Sequence, residues 1–315
     1  MKPFPILTKR TLNLGLIGVG RWGSNFVKTI KNIKNLNLIC VTSFNQEIKS
    51  SLISKCKLEK EWKKLILTKD LDGVIVCTPP STHYEILKEC IKLKIPVLIE
   101  KPFVLSVKEA EEIKTLAEVN SSLVLVDYIH LHHPSFLKLC DLVENHKQIL
   151  KVHSFSGNNG PFRKDVRALW DWIPHDIAMC MKLFNQIPKV SNAYYLKRDF
   201  SKTIPGELLK IELLFESGVN AYITVGNLME KKSKKFVVEF VDHKLVYQPH
   251  SETSLIKVVE DQIFHSFSYN DEQPMFNLIN KFSKYIKNRS ICFKDINLSF
   301  EITKIIEEIE HKLES

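Results

Sequence analysis

Glycines near the amino terminus form the first pattern that could carry chemistry. Gly18, Gly20 and Gly23 follow the spacing Gly-x-Gly-x-x-Gly, directly after an apolar run and ahead of a helical pattern. Glycine permits a tight turn and lets backbone N–H groups approach a pyrophosphate at a helix N-terminus. The pattern therefore predicts a dinucleotide-binding loop that includes Arg21 and Trp22. The alternative is a glycine-rich turn without a ligand.

The residue expected to discriminate between NAD and NADP is Ser43, which lies 20 positions after Gly23. NAD-binding loops usually carry Asp or Glu near this place, where the carboxylate binds the ribose 2′-hydroxyl. Ser43 would not repel a 2′-phosphate, and Thr42 or Asn45 could also donate to it. We expect NAD(P), with NADP favoured over NAD; NAD stays open because no arginine adjoins Ser43.

Two further motifs follow strand-like apolar runs. Thr78 and Pro79 come after one run, and Glu100 and Lys101 come after the next. Open α/β sheets bind ligands at the carboxyl ends of their strands. A lysine there could hydrogen-bond a substrate oxygen and favour its alkoxide. The alternative for Lys101 is a surface ion pair with Glu100.

The third candidate is an acid–histidine pair. In a helix, Asp171 and His175 would be four residues apart and share a face, whereas Asp176 would point elsewhere. Such a pair can serve as a general base with its orienting carboxylate. A helix-capping Asp and a partly buried His explain the same spacing.

Scarce arginines and clustered histidines could shape specificity. Arg163 and Arg167 precede the acid–histidine pair and could bind a carboxylate or diphosphate, or could be exposed loop residues. His130, His132 and His133 follow the last strand of the first half. No acidic or cysteine partner is near them in sequence, so we predict no metal site and expect His132 to line a substrate pocket.

Composition limits the class of protein. The 315 residues are 44% hydrophobic and 26% charged, which predicts about two globular domains. No apolar run is long enough for a membrane span, and no signal-peptide core is evident. The 7 cysteines are dispersed, which is typical of reduced thiols in a cytoplasmic protein.

The net charge of +9 comes mainly from lysine. Spread lysines usually form solvated faces, so we expect no nucleic-acid partner. The densest run, residues 231–235, lies between two strand-like segments and predicts a solvated hairpin loop.

The pattern of apolar residues indicates two architectures. Residues 1–127 alternate strand and helix signals, which predicts an N-terminal Rossmann domain, a doubly wound parallel sheet. Residues 128–315 show period-two strands joined by short turns, then helical stretches at 276–286 and 300–313. They predict a C-terminal α+β domain with a large, mainly antiparallel open sheet. The last helix could pack back on the first domain.

The ordered set of motifs resembles the Gfo/Idh/MocA family of NAD(P)-dependent oxidoreductases over nearly the whole chain. The resemblance rests on the glycine loop, Thr78-Pro79-Pro80-x-x-His83, Glu100-Lys101-Pro102 and Asp171-x-x-x-His175. The segments 21–25 and 165–176 resemble a narrower group of sugar and nucleotide-sugar dehydrogenases or reductases, often of surface polysaccharide synthesis.

This resemblance implies roles for the matching residues. Lys101 would contact the reacting oxygen and the cofactor, His175 would be the general acid/base, and Asp171 would orient substrate or His175. The expected cofactor-binding residues are Gly18, Gly20, Arg21, Trp22, Gly23, Ser43, Thr78, Pro79, His83, Glu100 and Lys101. The expected substrate-binding residues are Lys101, His132, Arg163, Arg167, Asp171 and His175.

The resemblance also implies a homodimer or homotetramer that associates through the open face of the second sheet. A non-catalytic nucleotide-binding regulator on the same fold remains an alternative, because the carboxylate expected near Ser43 is missing. A glycosidase that retains NAD is a second alternative.

Overall fold

The structure is a computed structural model that describes residues 10–43, 56–144, 148–201, 203–267 and 273–314. The strands are β1 Leu12–Ile17, β2 Leu36–Thr42, β3 Lys57–Glu59, β4 Gly73–Val76, β5 Val97–Glu100, β6 Val124–Asp127, β7 Lys151–Asn159, β8 Lys189–Asp199, β9 Gly206–Leu214, β10 Asn220–Gly226, β11 Leu228–Glu239, β12 Lys244–Tyr247, β13 Leu255–Val259 and β14 Gln262–Phe267. The α-helices are α1 Arg21–Lys31, α2 Trp62–Leu65, α3 His83–Lys92, α4 Val107–Asn120, α5 Pro134–Glu144, α6 Ala168–Trp172, α7 Pro174–Phe184, α8 Pro274–Asn288 and α9 Phe293–Glu314.

The chain divides into two compact units. The first comprises Met1–Asp127 and Met275–Phe300, and the second comprises Tyr128–Pro274 and Glu301–Ser315. Residues 275–300 thus belong with the amino-terminal sheet, although the sequence pattern grouped them with the second domain.

The first unit is built on a parallel sheet with the strand order β3-β2-β1-β4-β5-β6 among the described residues. Each neighbouring pair in it is parallel. Val74, Ile75 and Val76 are fully buried, as expected for a strand covered on both faces. This confirms the predicted doubly wound sheet. The order reverses between β1 and β4, so the loops after these two strands flank the usual ligand crevice of such sheets.

Helix α8 covers part of this sheet because β4 begins with glycine. A Cβ atom on Gly73 would lie 2.9 Å from Cδ1 of Ile286 and 3.2 Å from Cζ of Phe282. The missing side chain therefore lets α8 approach the strand closely. This contact explains why residues 275–300 join the first unit.

The second unit contains a sheet with the order β14-β13-β12-β11-β7-β10-β9-β8. β7 and β10 pair in parallel, and the other described neighbours are antiparallel. The predicted large, mainly antiparallel sheet is confirmed.

The lysine-rich run lies inside this sheet. Residues 231–235 belong to β11, where Lys234 pairs with Ser156 and Lys235 with Phe155 of β7. The predicted solvated hairpin loop is therefore wrong. Successive side chains of a strand point to opposite faces, so one lysine of the run can be buried while its neighbour stays exposed.

Helices cover one face of the second sheet. Phe136 of α5 packs edge-on against Phe236 of β11, with ring centroids 5.9 Å apart. Phe155, Tyr194 and Leu196 of the same sheet remain exposed. Within the described ranges, no helix is both long and apolar enough to cross a bilayer.

Candidate functional site

The glycine loop between β1 and α1 has a shape that side chains would prevent. Gly18 has a φ of +91°, and a Cβ on it would lie 2.7 Å from the carbonyl oxygen of Cys77. A Cβ on Gly23 would lie 2.2 Å from the carbonyl oxygen of Gly18. A Cβ on Gly20 would meet no described atom within 4 Å. Gly18 and Gly23 close the turn, whereas Gly20 presents bare backbone to open space.

The start of α1 is suited to an anion. Gly20 occupies the N-cap without a side-chain hydrogen bond, and the first turn of this fully described helix contains no acidic residue. Its first N–H groups and the helix dipole are therefore not neutralised by a side chain. Arg21 and Trp22 are exposed at this turn. The bare glycine and the uncapped helix start fit the pyrophosphate of a dinucleotide.

The end of β2 supports the same loop. The Gly18 N–H donates to Oγ1 of Thr42 at 3.1 Å, and the Val19 N–H donates to the Thr42 carbonyl at 3.1 Å. The hydroxyl of Ser43 donates to the Val19 carbonyl at 3.4 Å. Thr42 thus helps to hold the loop, and Ser43 follows at the carboxyl end of the strand. Asn45 lies outside the described residues.

His83 links two loops of the first unit. Its ring is fully buried, with Nδ1 2.9 Å from the Pro102 carbonyl oxygen and Nε2 3.1 Å from the Thr78 carbonyl oxygen. Both ring nitrogens thus face backbone oxygens. His83 thereby joins the loop that carries Thr78 and Pro79 to the loop that follows Lys101.

Two carboxyl groups lie side by side next to Lys101. Glu100 and Asp127 are in register across β5 and β6, and their side chains share a hydrogen bond. Asp127 is only 3% exposed. Burial raises the pKa of Asp127 well above its usual value, and the charge and hydrogen bond of Glu100 raise it further, while Lys101 opposes the shift. Burial and the same two acids also raise the pKa of the Cys77 thiol.

The acid–histidine pair of the second unit spans two helices. Asp171 belongs to α6, whereas His175 is the second residue of α7. Pro174 begins α7, a position where proline is favourable because the first N–H of a helix has no partner. The single helix assumed for the spacing is therefore two short helices, and His175 lies at the positive end of the second.

Asp171 is held by an arginine. Nη1 of Arg163 donates to Oδ1 of Asp171 at 3.2 Å. Nε and Nη2 of the same guanidinium donate to the two carboxylate oxygens of Asp165 at 3.1 and 2.6 Å. The hydrogen bond from Arg163 lowers the pKa of Asp165. Arg163 therefore fixes the carboxylate of Asp171 from within the second unit.

Arg167 is engaged with other parts of the second unit. Its Nη1 donates to Oε1 of Glu310 at 2.8 Å, and its Nη2 donates to the Tyr195 hydroxyl at 3.0 Å. Nη2 also lies 3.5 Å from Oε1 of Glu207, a carboxylate only 6% exposed. These partners tie the segment before α6 to β8, β9 and α9.

A cluster of aromatic rings surrounds His175. The His130 ring meets it edge-on with centroids 5.1 Å apart, and Tyr128 does so at 6.4 Å. Nδ1 of His130 is hydrogen-bonded to the buried hydroxyl of Tyr247 at 2.9 Å. Burial lowers the pKa of His130 well below its usual value, and it lowers that of His133 to about 4. At neutral pH these two imidazoles are therefore uncharged.

His132 ends the short 3₁₀ turn Ile129–His132 and is half-buried. In the part of the chain that the structure describes, no group of three or more His, Cys, Asp or Glu side chains is arranged to hold a metal ion.

Sequence analysis did not single out three features of this site: Tyr247, Asp127 and the position of His130 beside His175. Asp127 carried a usable signal, because it is an acidic residue directly after a buried strand-like run. No sequence pattern indicated Tyr247, since its hydrogen-bond partner His130 is distant in the chain.

Comparison with known proteins agrees with this geometry. Residues 12–128 match the family GFO_IDH_MocA, described as an oxidoreductase family with an NAD-binding Rossmann fold. The inositol 2-dehydrogenase of Mycolicibacterium smegmatis is 23% identical over 70% of this chain and 70% of that enzyme. The leading curated matches span between 41% and 70% of the relatives' own lengths.

Solved structures share the whole fold. The UDP-N-acetylglucosamine 3-dehydrogenase of Acidithiobacillus ferrooxidans superposes with a TM-score of 0.81 at 18% identity, covering 96% of this chain and 98% of that one. A point mutant of the 3-ketoreductase KijD10 of Actinomadura kijaniata, in complex with TDP-benzene and NADP, superposes with a TM-score of 0.86 at 14% identity, covering 96% of this chain and 98% of that one. Residues 12–128 therefore match the NAD-binding Rossmann segment of the Gfo/Idh/MocA oxidoreductase family, and the two-sheet fold of the chain is shared with the solved structures.

Proposed function

We propose that this NAD(P)-binding oxidoreductase transfers a hydride to or from a CH–OH carbon of a sugar or nucleotide sugar, of the kind used for surface polysaccharides. The observation that carries the proposal is the position of Lys101. It follows β5 at the carboxyl edge of the parallel sheet of the first unit, beside the Glu100–Asp127 pair. The dehydrogenases among the relatives support the substrate class, since they act on an inositol and on a nucleotide sugar.

Each proposed catalytic residue has a distinct task. A bound nicotinamide would supply the hydride donor or acceptor. The ammonium group of Lys101 would hydrogen-bond the reacting oxygen and stabilise its developing negative charge. His175 would take or return the hydroxyl proton as general base or acid. Asp171, fixed by Arg163, would orient a substrate hydroxyl.

The cofactor would bind along the first unit. The N–H groups at the start of α1 would hold the pyrophosphate above Gly20, and Thr78 and Pro79 would line the dinucleotide. We favour NADP because Ser43 replaces the usual carboxylate at the end of β2. The NADP in the KijD10 structure supports this choice, whereas GenD2, another solved structure of this fold, holds NAD. Calorimetric titration with NADPH and with NADH tests the preference for NADP. A clear preference for NADH would reverse the assignment.

Substrate oxidation tests the catalytic proposal directly. The purified protein is incubated with UDP-N-acetylglucosamine or myo-inositol and NADP⁺ or NAD⁺, and reduced nicotinamide is measured by its absorbance. We expect Lys101→Met to lower kcat by ~10²–10³-fold, as for loss of a donor to a developing oxyanion, with a much smaller effect on cofactor affinity.

Lys108→Met is the matched control, because Lys108 is an exposed lysine of α4 in the same unit. Full turnover by the Lys101→Met variant would overturn the assignment. Tight cofactor binding with no turnover on a wider sugar panel would favour a regulator.

A further inference from the structure

A buried ion pair lies directly behind the proposed general acid/base. Nζ of Lys234 lies 2.7 Å from Oδ1 of Asp176, and the two side chains are 7% and 0% exposed. Asp176 is the residue after His175 and lies in the first turn of α7. The reaction proposed above uses neither charge.

The carboxylate of Asp176 joins the helix to two strands. Its Oδ1 accepts hydrogen bonds from the hydroxyls of Ser154 and Ser156 on β7, the second at 2.8 Å. Lys234 of β11 donates to the same oxygen and to Oγ of Ser156, both at 2.7 Å. Strands β7 and β11 are neighbours, so four side chains converge on one point beneath the start of α7.

Burial makes this arrangement costly unless it is complete. A charge taken out of water must be paired and hydrogen-bonded. A buried pair can usually be replaced by apolar groups without loss of stability. Stability alone therefore does not account for a lysine at this place, and its effect on the neighbouring histidines is the more informative property.

The ammonium group of Lys234 acts on the imidazoles around His175. Its charge lowers the pKa of His130 in addition to the larger effect of burial, and it also lowers that of His250. The other charged or titratable groups that act on His130 are His175, His133 and His250, and each lowers its pKa when protonated. The His130 ring is also in edge contact with the His175 ring.

We propose that Lys234 is a positioning residue for His175: through its ion pair with Asp176 it fixes the first turn of α7, the turn that carries His175. His130, which is uncharged at neutral pH because burial lowers its pKa, lies edge-on against His175. The inference rests on the proposed function for the role of His175, but the state of His130 can be measured without substrate.

The test compares two variants with a matched control. Lys234→Met alone leaves Asp176 buried and unpaired and can fail to fold, so the informative variant is the double substitution Lys234→Met with Asp176→Asn. It removes both charges and keeps an oxygen acceptor for Ser154 and Ser156. Lys235→Met is the control, because Lys235 is the next residue of β11 and is exposed.

Three measurements are made on each variant: NADPH affinity, turnover of the substrate that the wild-type protein oxidises, and titration of the histidine ring protons by NMR. The NMR signals of His130 are assigned by their loss in a His130→Gln variant. We expect the double variant to fold and bind NADPH normally, with kcat reduced by ~10²-fold because the acid/base group is misplaced. The pKa of His130 should rise slightly, because the contribution of Lys234 is removed while burial, the larger cause, remains. The control should match the wild type.

Wild-type turnover in the double variant, or an unchanged titration of His130, would overturn this inference. Failure of the proposed function gives a different result. In that case His175→Gln retains turnover, while the titration of His130 still responds to the loss of Lys234.

Discussion

The carboxyl group of Asp127 is hydrogen-bonded to that of Glu100 across the last two strands of the first sheet. Ionised carboxylates only accept hydrogen bonds, so one of the two must hold a proton. Two like charges in a buried place also cannot both ionise readily. Burial and the neighbouring Glu100 therefore favour the protonated form of Asp127 beside Lys101.

Asp127→Asn should flatten the pH dependence of stability. Because the pKa of Asp127 is raised in the folded state, the folded protein binds more protons than the unfolded chain above the ordinary carboxyl pKa of about 3.9. Wild-type stability should therefore fall as the pH rises from there through the raised pKa. Urea unfolding over a pH series checks this. The same slope in the Asn variant would show that Asp127 is not the proton-holding group.

Gly20→Ala should impair cofactor binding without harming the fold. The new Cβ meets no described atom within 4 Å, but it occupies the open side of the loop. We expect NADPH affinity to fall by ~10-fold or more, equivalent to about 1.4 kcal/mol, with an unchanged melting temperature. Gly23→Ala is the contrast, because its Cβ would lie 2.2 Å from a backbone oxygen and should destabilise the first unit. Normal affinity of the Gly20→Ala variant would place the pyrophosphate elsewhere.

Arg167→Gln should affect stability more than substrate binding. The guanidinium faces Glu310 and the buried Glu207, so its loss should cost ~1–3 kcal/mol of unfolding free energy. We expect the KM for substrate to change little. A large rise in KM with unchanged stability would instead support the substrate-binding role considered from the sequence.

His133 should make the second unit sensitive to acid. Its pKa is lowered to about 4 in the folded protein, so the unfolded chain takes up a proton first as the pH falls below the ordinary value of about 6.5. This contribution to stability should be lost progressively between those two values. His133→Gln, compared with the wild type by urea unfolding over that range, should show a smaller loss; an equal loss would assign the acid sensitivity to other groups.

Leu196→Glu should disrupt self-association, which we propose occurs through the open face of the second sheet. Phe155, Tyr194 and Leu196 are exposed on this sheet, and exposed apolar side chains often mark protein interfaces. Light scattering coupled to size-exclusion chromatography should show an oligomer for the wild type and a monomer for the variant. A monomeric wild-type protein would contradict the proposal.

Local sequence patterns predicted the parts of the molecule whose geometry is local. The conformation of the glycine loop depends on residues 18–23 and their own backbone angles, so the sequence predicted its position. The parallel strands followed from buried apolar runs of the right length. The second sheet was found from period-two alternation, although β7, β8, β13 and β14 were not singled out.

Interactions between residues that are distant in the chain could not be predicted from the sequence. Lys234 and Asp176 are 58 residues apart, and no pattern in a lysine-rich run indicates which lysine is buried. Asp127 and Glu100 meet only because β5 and β6 pair in register. The break between α6 and α7 could have been anticipated, because Pro174 is a standard helix start.

The close fit of α8 against Gly73 has a consequence for synthesis of the chain. Ribosomes make residues 1–127 first, but the surface around Gly73 at the start of β4 stays uncovered by α8 until Phe282 and Ile286 have been added. During the intervening time the nascent first unit carries a hydrophobic surface that native structure later hides, the kind of surface that chaperones bind and that promotes aggregation. Translation speed through the second unit thus sets how long that exposure lasts.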